Sequence, residues 1–208
     1  MFEDLIPKAI LILIFLLIAF PVHEFAHAFV AYQLGDGTAK LYGRLTLNPV
    51  AHFDPIGGLL LVVSVLVGGF VIGWAKPTPT NPSNFRDRRN GEVLVALAGP
   101  ASNLIMASLG ALVVRFLGLA ELGIPDLAFQ ILILFVAYNV ALAIFNMIPI
   151  PPLDGSTLLF RVLNPRTAYQ VRATLGQYGF VVILLLIFVG GQYVSGLILY
   201  VTRFLVGA

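Results

Sequence analysis

The sequence predicts an all-α polytopic membrane protein with four crossing helices and one further membrane-embedded segment. Of its 208 residues, 59% are hydrophobic and 11% are charged. In soluble domains about 45–50% of residues are apolar and about 25% are charged. The mean hydropathy is +0.97, and four segments are long and apolar enough to cross about 30 Å of hydrocarbon as helices. Because so few charges cannot cover so much apolar surface in water, an ordinary soluble domain is excluded.

Two polar loops rich in Asn, Pro, Gly and Thr, residues 35–55 and 76–90, lie between the first and second of the four predicted crossing helices. These helices cover about 5–34, 92–117, 127–148 and 178–205, the last interrupted by Gly190 and Gly191. Residues 147–154 contain three prolines and are expected to be irregular, because proline cannot continue a helix. The chain leaves no room for a separate soluble domain, so residues 1–208 are expected to form one membrane-embedded domain.

A fifth apolar segment, residues 56–75, contains five glycines and many β-branched residues. This composition is unfavourable for a regular helix. The segment is therefore predicted to be re-entrant or broken, near 56–75, rather than a fifth regular crossing.

Three ionisable residues lie close together in the first predicted helix, in the sequence His23-Glu24-Phe25-Ala26-His27. On a helix, His23 and His27 lie one turn apart on the same face, which suits two ligands of one zinc ion. Glu24 then lies beside the metal, where it can take a proton from a bound water. Ionisable groups in an apolar helix are costly unless they are paired or coordinated. This favours a zinc site over polar residues that only hydrogen-bond within a helix bundle.

A tetrahedral catalytic zinc needs a third protein ligand and one open position. The remaining candidates are His52 and Asp154. Asp154 follows the proline-rich segment, and Gly155 after it would permit a close approach of the backbone. The same carboxylate could instead cap a short helix at 155–163, and His52 could equally be a loop residue without a role. Spacing alone leaves these alternatives open.

Taken together, the motifs resemble those of the site-2 protease family of intramembrane zinc metalloproteases. The family has an HExxH helix and a later N-x-x-P-x-x-P-L-D-G-type segment, which corresponds to residues 146–155 here. Residues 48–57, 73–77 and 99–103 also resemble the compact prokaryotic branch, which has no PDZ or CBS domain. The similarity extends over nearly the whole chain, although Ser156 stands where the family often has a second glycine.

The resemblance implies one zinc ion per chain, bound by His23, His27 and Asp154, with Glu24 as the general base and acid. It implies hydrolysis of a peptide bond within or near the transmembrane segment of a membrane-protein substrate, by a zinc-bound water. Asn146 would hold the substrate backbone or stabilise an oxyanion, although a hydrogen bond between helices is equally consistent. His52 is a further candidate, either for a residue that hydrogen-bonds to the zinc ligands or for one that controls the entry of water.

One zinc ion can bind all three ligands only if the first and third crossing helices end on the same side of the membrane. This requires that residues 56–75 do not cross. Nine basic residues then share the catalytic side and three lie opposite; if the segment crossed, the best division would be eight against four. The nine are Lys40, Arg44, Lys76, Arg86, Arg88, Arg89, Arg161, Arg166 and Arg172, and the three are Lys8, Arg115 and Arg203. The asymmetry places the catalytic end toward the cytoplasm of a prokaryotic cell (inner) membrane.

Composition also bears on partners and on other functions. The net charge of +2 is too small for nucleic-acid binding, and the absence of cysteine excludes disulfides and thiolate ligands. A catalytically inert binding protein would have no need of Glu24. A metal transporter would carry several intramembrane carboxylates, whereas Glu24 is the only charged residue deep in the first helix. The expected partners are therefore a membrane-protein substrate and the lipid bilayer.

Overall fold

The computed structural model describes residues 5–67, 72–119 and 125–207, and the regular structure within these ranges is helical throughout. The helices are α1 (Leu5–Ile14), α2 (Phe20–Gln33), α3 (Thr38–Leu41), α4 (Pro49–His52), α5 (Pro55–Val67), α6 (Arg88–Leu119), α7 (Asp126–Asn146), α8 (Gly155–Val162) and α9 (Pro165–Val206). Four stretches of the described chain are long and apolar enough to cross a membrane: Ala9–Gln33, Arg88–Gly118, Asp126–Asn146 and Pro165–Val206. The predicted all-α polytopic fold is confirmed.

The first crossing helix contains a π-helical turn, Phe15–Ala19, between α1 and α2. The N–H of Phe20 donates to the carbonyl of Phe15, five residues earlier. Pro21 follows directly and has no N–H with which to restore the usual four-residue spacing. Turns of this kind are frequent near functional sites, and here the turn immediately precedes the HExxH segment.

Helix α6 forms the centre of the bundle and packs against α2, α7 and α9. Its contact with α7 is built from small residues, since Ala107 and Ala111 lie against Val136 and Val140. Small side chains allow two helix backbones to approach closely, which is how helices associate in lipid, where burial from water cannot drive them together. This close packing places α6 where its side chains can reach the histidines of α2.

The segment predicted to be re-entrant returns to the side from which it starts. Helix α5 begins after Asp54, whose carboxylate accepts hydrogen bonds from the N–H groups of Ile56 and Gly57. After residues 68–71, which lie outside the described residues, the chain runs from 72 to 81 without regular secondary structure. The N–H of Lys76 donates to the carbonyl of His52 at 2.8 Å, so the two ends of the segment meet. The meeting of the two ends agrees with the predicted re-entrant segment, although its first half is a regular helix that packs on α1.

The prediction for the last helix was wrong at its start and at its middle. Helix α9 begins at Pro165 rather than near 178, and it continues through Gly190 and Gly191 without interruption. Its 42 residues would span about 63 Å at 1.5 Å per residue, roughly twice the hydrocarbon thickness. Hydropathy detected only the apolar part of this helix. A break at the two glycines would leave backbone polar groups without partners in lipid, which costs more than the weak helix propensity of glycine.

Residues 72–81, here called the strap, are fixed at their far end by Asp36. This carboxylate is fully buried and accepts hydrogen bonds from the N–H of Asn81, the amide of Asn84 and the N–H and hydroxyl of Thr38. Burial alone would raise the pKa of Asp36, but the hydrogen bonds outweigh that effect and lower it below its ordinary value. Asp36 therefore joins the end of α2 to the strap.

The stabilisation supplied by Asp36 is expected to depend on pH. Because the pKa of Asp36 is lower in the folded protein, the stabilisation is present above the ordinary aspartate pKa of about 4 and is lost as the pH falls through the lower value. Asp36→Asn should lower the free energy of unfolding at neutral pH by about 1–3 kcal/mol, and its melting temperature in detergent should fall less between pH 7 and pH 3 than that of the wild type. The exposed Asp126 provides the control: Asp126→Asn should melt like the wild type at both pH values. An equal fall in the wild type and Asp36→Asn would contradict the prediction.

Candidate metal centre

The structure brings together the three residues that the sequence suggests as zinc ligands. His23 and His27 of α2 are both buried, and their Nε2 atoms are 3.1 Å apart. The Oδ2 atom of Asp154 lies 3.2 Å from Nε2 of His23 and 3.3 Å from Nε2 of His27. One possible ligand atom from each residue therefore lies within 3.3 Å of the other two, close enough for all three to bind the same metal ion.

The orientation of the His23 ring is set by a chain of hydrogen bonds through two buried asparagines. Asn139 donates from its amide to the carbonyl of Phe135 at 2.9 Å, and its oxygen accepts from the amide of Asn103 at 3.0 Å. The oxygen of Asn103 is thereby turned toward His23, whose Nδ1–H donates to it at 2.6 Å. The proton of His23 lies on Nδ1, and Nε2 presents a lone pair.

The ring of His27 is held in the same way by a backbone carbonyl. Its Nδ1 lies 2.7 Å from the carbonyl oxygen of Val95 in α6. Since a carbonyl can only accept, Nδ1 carries the proton and Nε2 is left as an acceptor. Hydrogen bonds of this type commonly fix metal-binding histidines in the tautomer that a metal ion requires.

These residues fit zinc. Two imidazole nitrogens and a carboxylate oxygen face one another, an arrangement that is repulsive unless a metal ion or a proton lies between them. Oδ2 of Asp154 is buried and has no hydrogen-bond partner within the described part of the chain. A Cβ atom at Gly99 of α6 would lie 2.5–2.6 Å from atoms of the His23 ring, so a side chain there would fill the space beside the histidines. Two nitrogens and one carboxylate with one open position form a known catalytic zinc set.

Asp154 reaches the histidines because of the irregular backbone before α8. It occupies the position before the first residue of α8, yet its side chain makes no capping hydrogen bond. A Cβ atom at Gly155 would lie 2.5 Å from the carbonyl carbon of Met147, so α8 begins directly against that backbone. Gly155 thus permits the close approach that the sequence suggests. The geometry does not support a capping role for the carboxylate, which faces the histidines instead.

Glu24, the candidate base, is held by the strap. Its Oε2 accepts the backbone N–H of Thr78 at 2.8 Å, and the hydroxyl of Thr78 donates to the backbone carbonyl of Glu24 at 3.0 Å. Nη2 of Arg44 donates to the carbonyls of Lys76 and Pro77 in the strap. Burial lowers the pKa of Arg44, and the negative charge of Glu24 opposes that shift. The strap therefore connects a buried cation to the candidate base.

Comparison with known proteins gives the family. The family model described as Peptidase family M50 matches residues 120–189. A protein of Bacillus subtilis (strain 168) named "Putative zinc metalloprotease YwhC" is 42% identical over 182 residues, which cover 84% of this chain and 78% of that protein. The chain belongs to peptidase family M50. The M50 chain is thus a zinc-dependent metalloprotease by family, and the resemblance to site-2 proteases is confirmed.

Two mycobacterial relatives extend the comparison. "Putative zinc metalloprotease Rip2" of Mycolicibacterium smegmatis (strain ATCC 700084 / mc(2)155) is 34% identical over 171 residues, which cover 80% of this chain and 62% of that protein. "Putative zinc metalloprotease Rip3" of Mycobacterium tuberculosis (strain ATCC 25618 / H37Rv) is 29% identical over 191 residues, covering 88% and 39%. No solved structure matches the M50 chain.

Two other candidate residues lie outside the ligand cluster of the M50 chain. His52 is buried, with Nε2 2.8 Å from the carbonyl of Thr46, and it anchors the loop before α5. The amide of Asn146 donates to the carbonyl of Leu142 within its own helix at 3.0 Å. In the described structure neither residue hydrogen-bonds to the three clustered side chains. Their proposed roles at the site gain no support from this geometry.

Sequence reasoning missed two contacts of the M50 site. The sequence does not predict the contact of Asn103 with His23; an asparagine inside an apolar helix is the available signal. The contact of Thr78 with Glu24 had no signal in the sequence, because residues 54 positions apart in a loop and a helix follow no common periodicity.

Proposed function

We propose that this M50 protease hydrolyses a peptide bond within or near the transmembrane helix of another membrane protein. The observation that carries the proposal is the position of the site: His23, Glu24 and His27 belong to the apolar stretch Ala9–Gln33, which is long enough to cross a membrane. A site on such a helix lies beside the hydrocarbon rather than in bulk water, so the substrates it meets are membrane segments.

In this mechanism His23, His27 and Asp154 would hold the zinc ion, and Glu24 would transfer protons. Zinc, when bound, supplies a Lewis acid that activates water and polarises a carbonyl. Because Oε2 of Glu24 already accepts the N–H of Thr78, Oε1 is the oxygen that takes the proton from the attacking water. The same oxygen then gives the proton to the nitrogen of the leaving amine.

We further propose that the catalytic end faces the cytoplasm of a prokaryotic cell membrane. The re-entrant segment does not add a crossing, since His52 and Lys76 meet, which is the condition for the nine-against-three division of basic residues. At the opposite end, Arg115 donates to the carbonyls of Phe204 and Leu205 near the end of α9. Basic residues favour the cytoplasmic side of a membrane protein.

The proposal can be tested with the purified protein, loaded with zinc, in vesicles that contain a single-pass model protein. Two substrates are compared: one with an uninterrupted Leu/Ala helix and one with an Asn-Pro pair in the cytoplasmic half of the same helix. Since a helix hides its backbone in its own hydrogen bonds, the Asn-Pro helix should be cut at least about 10-fold faster. Mass spectrometry of the products locates the cut within or next to the helix, and a zinc chelator should abolish it.

The matched control is a soluble peptide with the extramembrane sequence of the same model protein. It should be cut slowly or not at all. Cleavage confined to extramembrane residues, or equal cleavage of the soluble peptide, would show that the substrate is not a membrane segment.

A further inference from the structure

We propose that Arg44 is a positioning residue, which acts through the strap to hold the N–H of Thr78 against the carboxylate of Glu24. The inference rests on the role proposed above for Glu24 and goes beyond it, because Arg44 lies in a loop outside the HExxH helix.

The burial of Arg44 calls for an explanation. Its guanidinium is always charged, yet the residue is only 5% exposed, and burying a charge costs several kcal/mol unless it is compensated. Within the described residues no carboxylate lies in ion-pair distance of it, and its Nε has no hydrogen-bond partner. What it does hold is the strap, through the carbonyls of Lys76 and Pro77.

The carbonyl of Pro77 and the N–H of Thr78 belong to the same peptide group. A trans peptide is planar, and its C=O and N–H point in opposite directions. Arg44 therefore holds one end of this peptide, while Oε2 of Glu24 accepts the hydrogen bond at the other end. A cation on the carbonyl oxygen also polarises the peptide and strengthens its N–H as a donor.

The sequence of the strap reinforces this arrangement. Thr78 stands between Pro77 and Pro79, and proline has a fixed φ and no N–H. Thr78 consequently carries the only backbone donor within residues 77–79. The strap presents one donor on a stiff backbone at the point where it meets Glu24. With Oε2 occupied by that hydrogen bond, Oε1 is the oxygen left to take the proton.

The donor itself can be removed with one substitution. Thr78→Pro deletes the N–H and suits the extended conformation favoured before Pro79, whereas the matched variant Thr78→Val keeps the N–H and loses only the hydroxyl. In the vesicle assay with the Asn-Pro substrate, Thr78→Pro should lower kcat about 10-fold or more, which corresponds to the loss of one oriented hydrogen bond. KM should change less than about 2-fold, Thr78→Val should retain clearly more activity than Thr78→Pro because it keeps the N–H, and zinc content should be unchanged in both variants.

Arg44 is then tested through the same contact. Arg44→Gln should lower kcat as Thr78→Pro does, Arg44→Lys should recover part of the loss, and the double variant should be no slower than the slower single variant, because both changes remove one interaction. Arg115→Gln is the control, since Arg115 also donates to two backbone carbonyls but does so at the opposite end of the bundle. It should keep the wild-type kcat.

A measurement without catalysis follows the strap directly. The chain has no cysteine, so Thr80→Cys introduces a single labelling site in a half-buried part of the strap. A maleimide should label it several-fold faster when Arg44→Gln is also present, and no faster when Arg115→Gln is present. Equal labelling rates in the two backgrounds would overturn the anchoring role of Arg44.

The activity outcomes separate this inference from the proposed function. A wild-type kcat in Thr78→Pro, while Glu24→Gln is inactive, would overturn only the inference. A raised kcat in Thr78→Pro or Arg44→Gln would identify the strap as an inhibitory cover and also overturn it. Additive losses in the double variant would show that the two residues act separately. An active Glu24→Gln would instead remove the proposed function on which the inference rests.

Discussion

Asp154→Ala is expected to weaken zinc binding by more than about 100-fold. Loss of residues that only support metal ligands typically costs 10–100-fold in affinity, and Asp154 lies in direct reach of the site, 3.2 and 3.3 Å from the two imidazole nitrogens. Without its carboxylate, two neutral imidazoles remain to hold a doubly charged ion. The wild-type protein purified in detergent should contain about one zinc ion per chain, and the variant little or none, by elemental analysis.

Gly99→Ala provides a second route to the same loss while all three ligands stay in place. Its Cβ would lie 2.5–2.6 Å from atoms of the His23 ring and would occupy the space beside the histidines. Gly118→Ala in the same helix is the matched control, because nothing lies within 4 Å of a Cβ at that position. We expect zinc to be lost from Gly99→Ala and retained in Gly118→Ala.

Other outcomes would redirect the assignment. Zinc retained in full by Asp154→Ala would transfer the role of third ligand to another residue, and His52 would be tested first. A wild-type protein without zinc would leave the HExxH segment as a hydrogen-bonded helix motif and would contradict all three ligand roles.

How much of the site could be predicted depended on how far apart its parts lie in the sequence. His23, Glu24 and His27 share one helix, so the periodicity of the helix alone places the two histidines on one face. Asp154 comes from a proline-rich segment without periodicity, and only the family resemblance favoured it over His52. The carboxylate's distance to both imidazoles could be obtained only once α2, α6 and α8 had been packed together.

The fold shows the same division. Apolar length predicted the four crossing helices, because lipid requires about 20 apolar residues in each. It could not place the start of α9, since the polar residues after Pro165 continue the helix outside the apolar range that hydropathy detects. Charge asymmetry could not decide whether residues 56–75 cross. The hydrogen bond between Lys76 and His52 favours a segment that does not cross. Arg44, which holds the strap, had no pattern in the sequence to reveal it.

Glu24→Gln is expected to lower kcat by about 10²–10⁴-fold, the range typical of general acid–base catalysis. Glutamine keeps the size of the side chain and can still accept the N–H of Thr78 through its amide oxygen, so the strap should stay in place. Glutamine cannot take a proton from water at neutral pH. Its NH₂ group, which replaces the other carboxylate oxygen, donates hydrogen bonds rather than accepting them. Zinc content should remain at the wild-type level, since the three clustered ligands are untouched.

The control is Glu92→Gln, which changes another glutamate in the same way at the start of α6, where its partner is the exposed Arg88. It should cleave the Asn-Pro substrate at the wild-type rate. Comparison with Asp154→Ala then separates the two kinds of residue: a ligand loses zinc and activity together, whereas the base loses activity and keeps zinc. If Glu24→Gln lost zinc as well, Glu24 would act in metal binding. If it cleaved at the wild-type rate, the proton would be taken by another group.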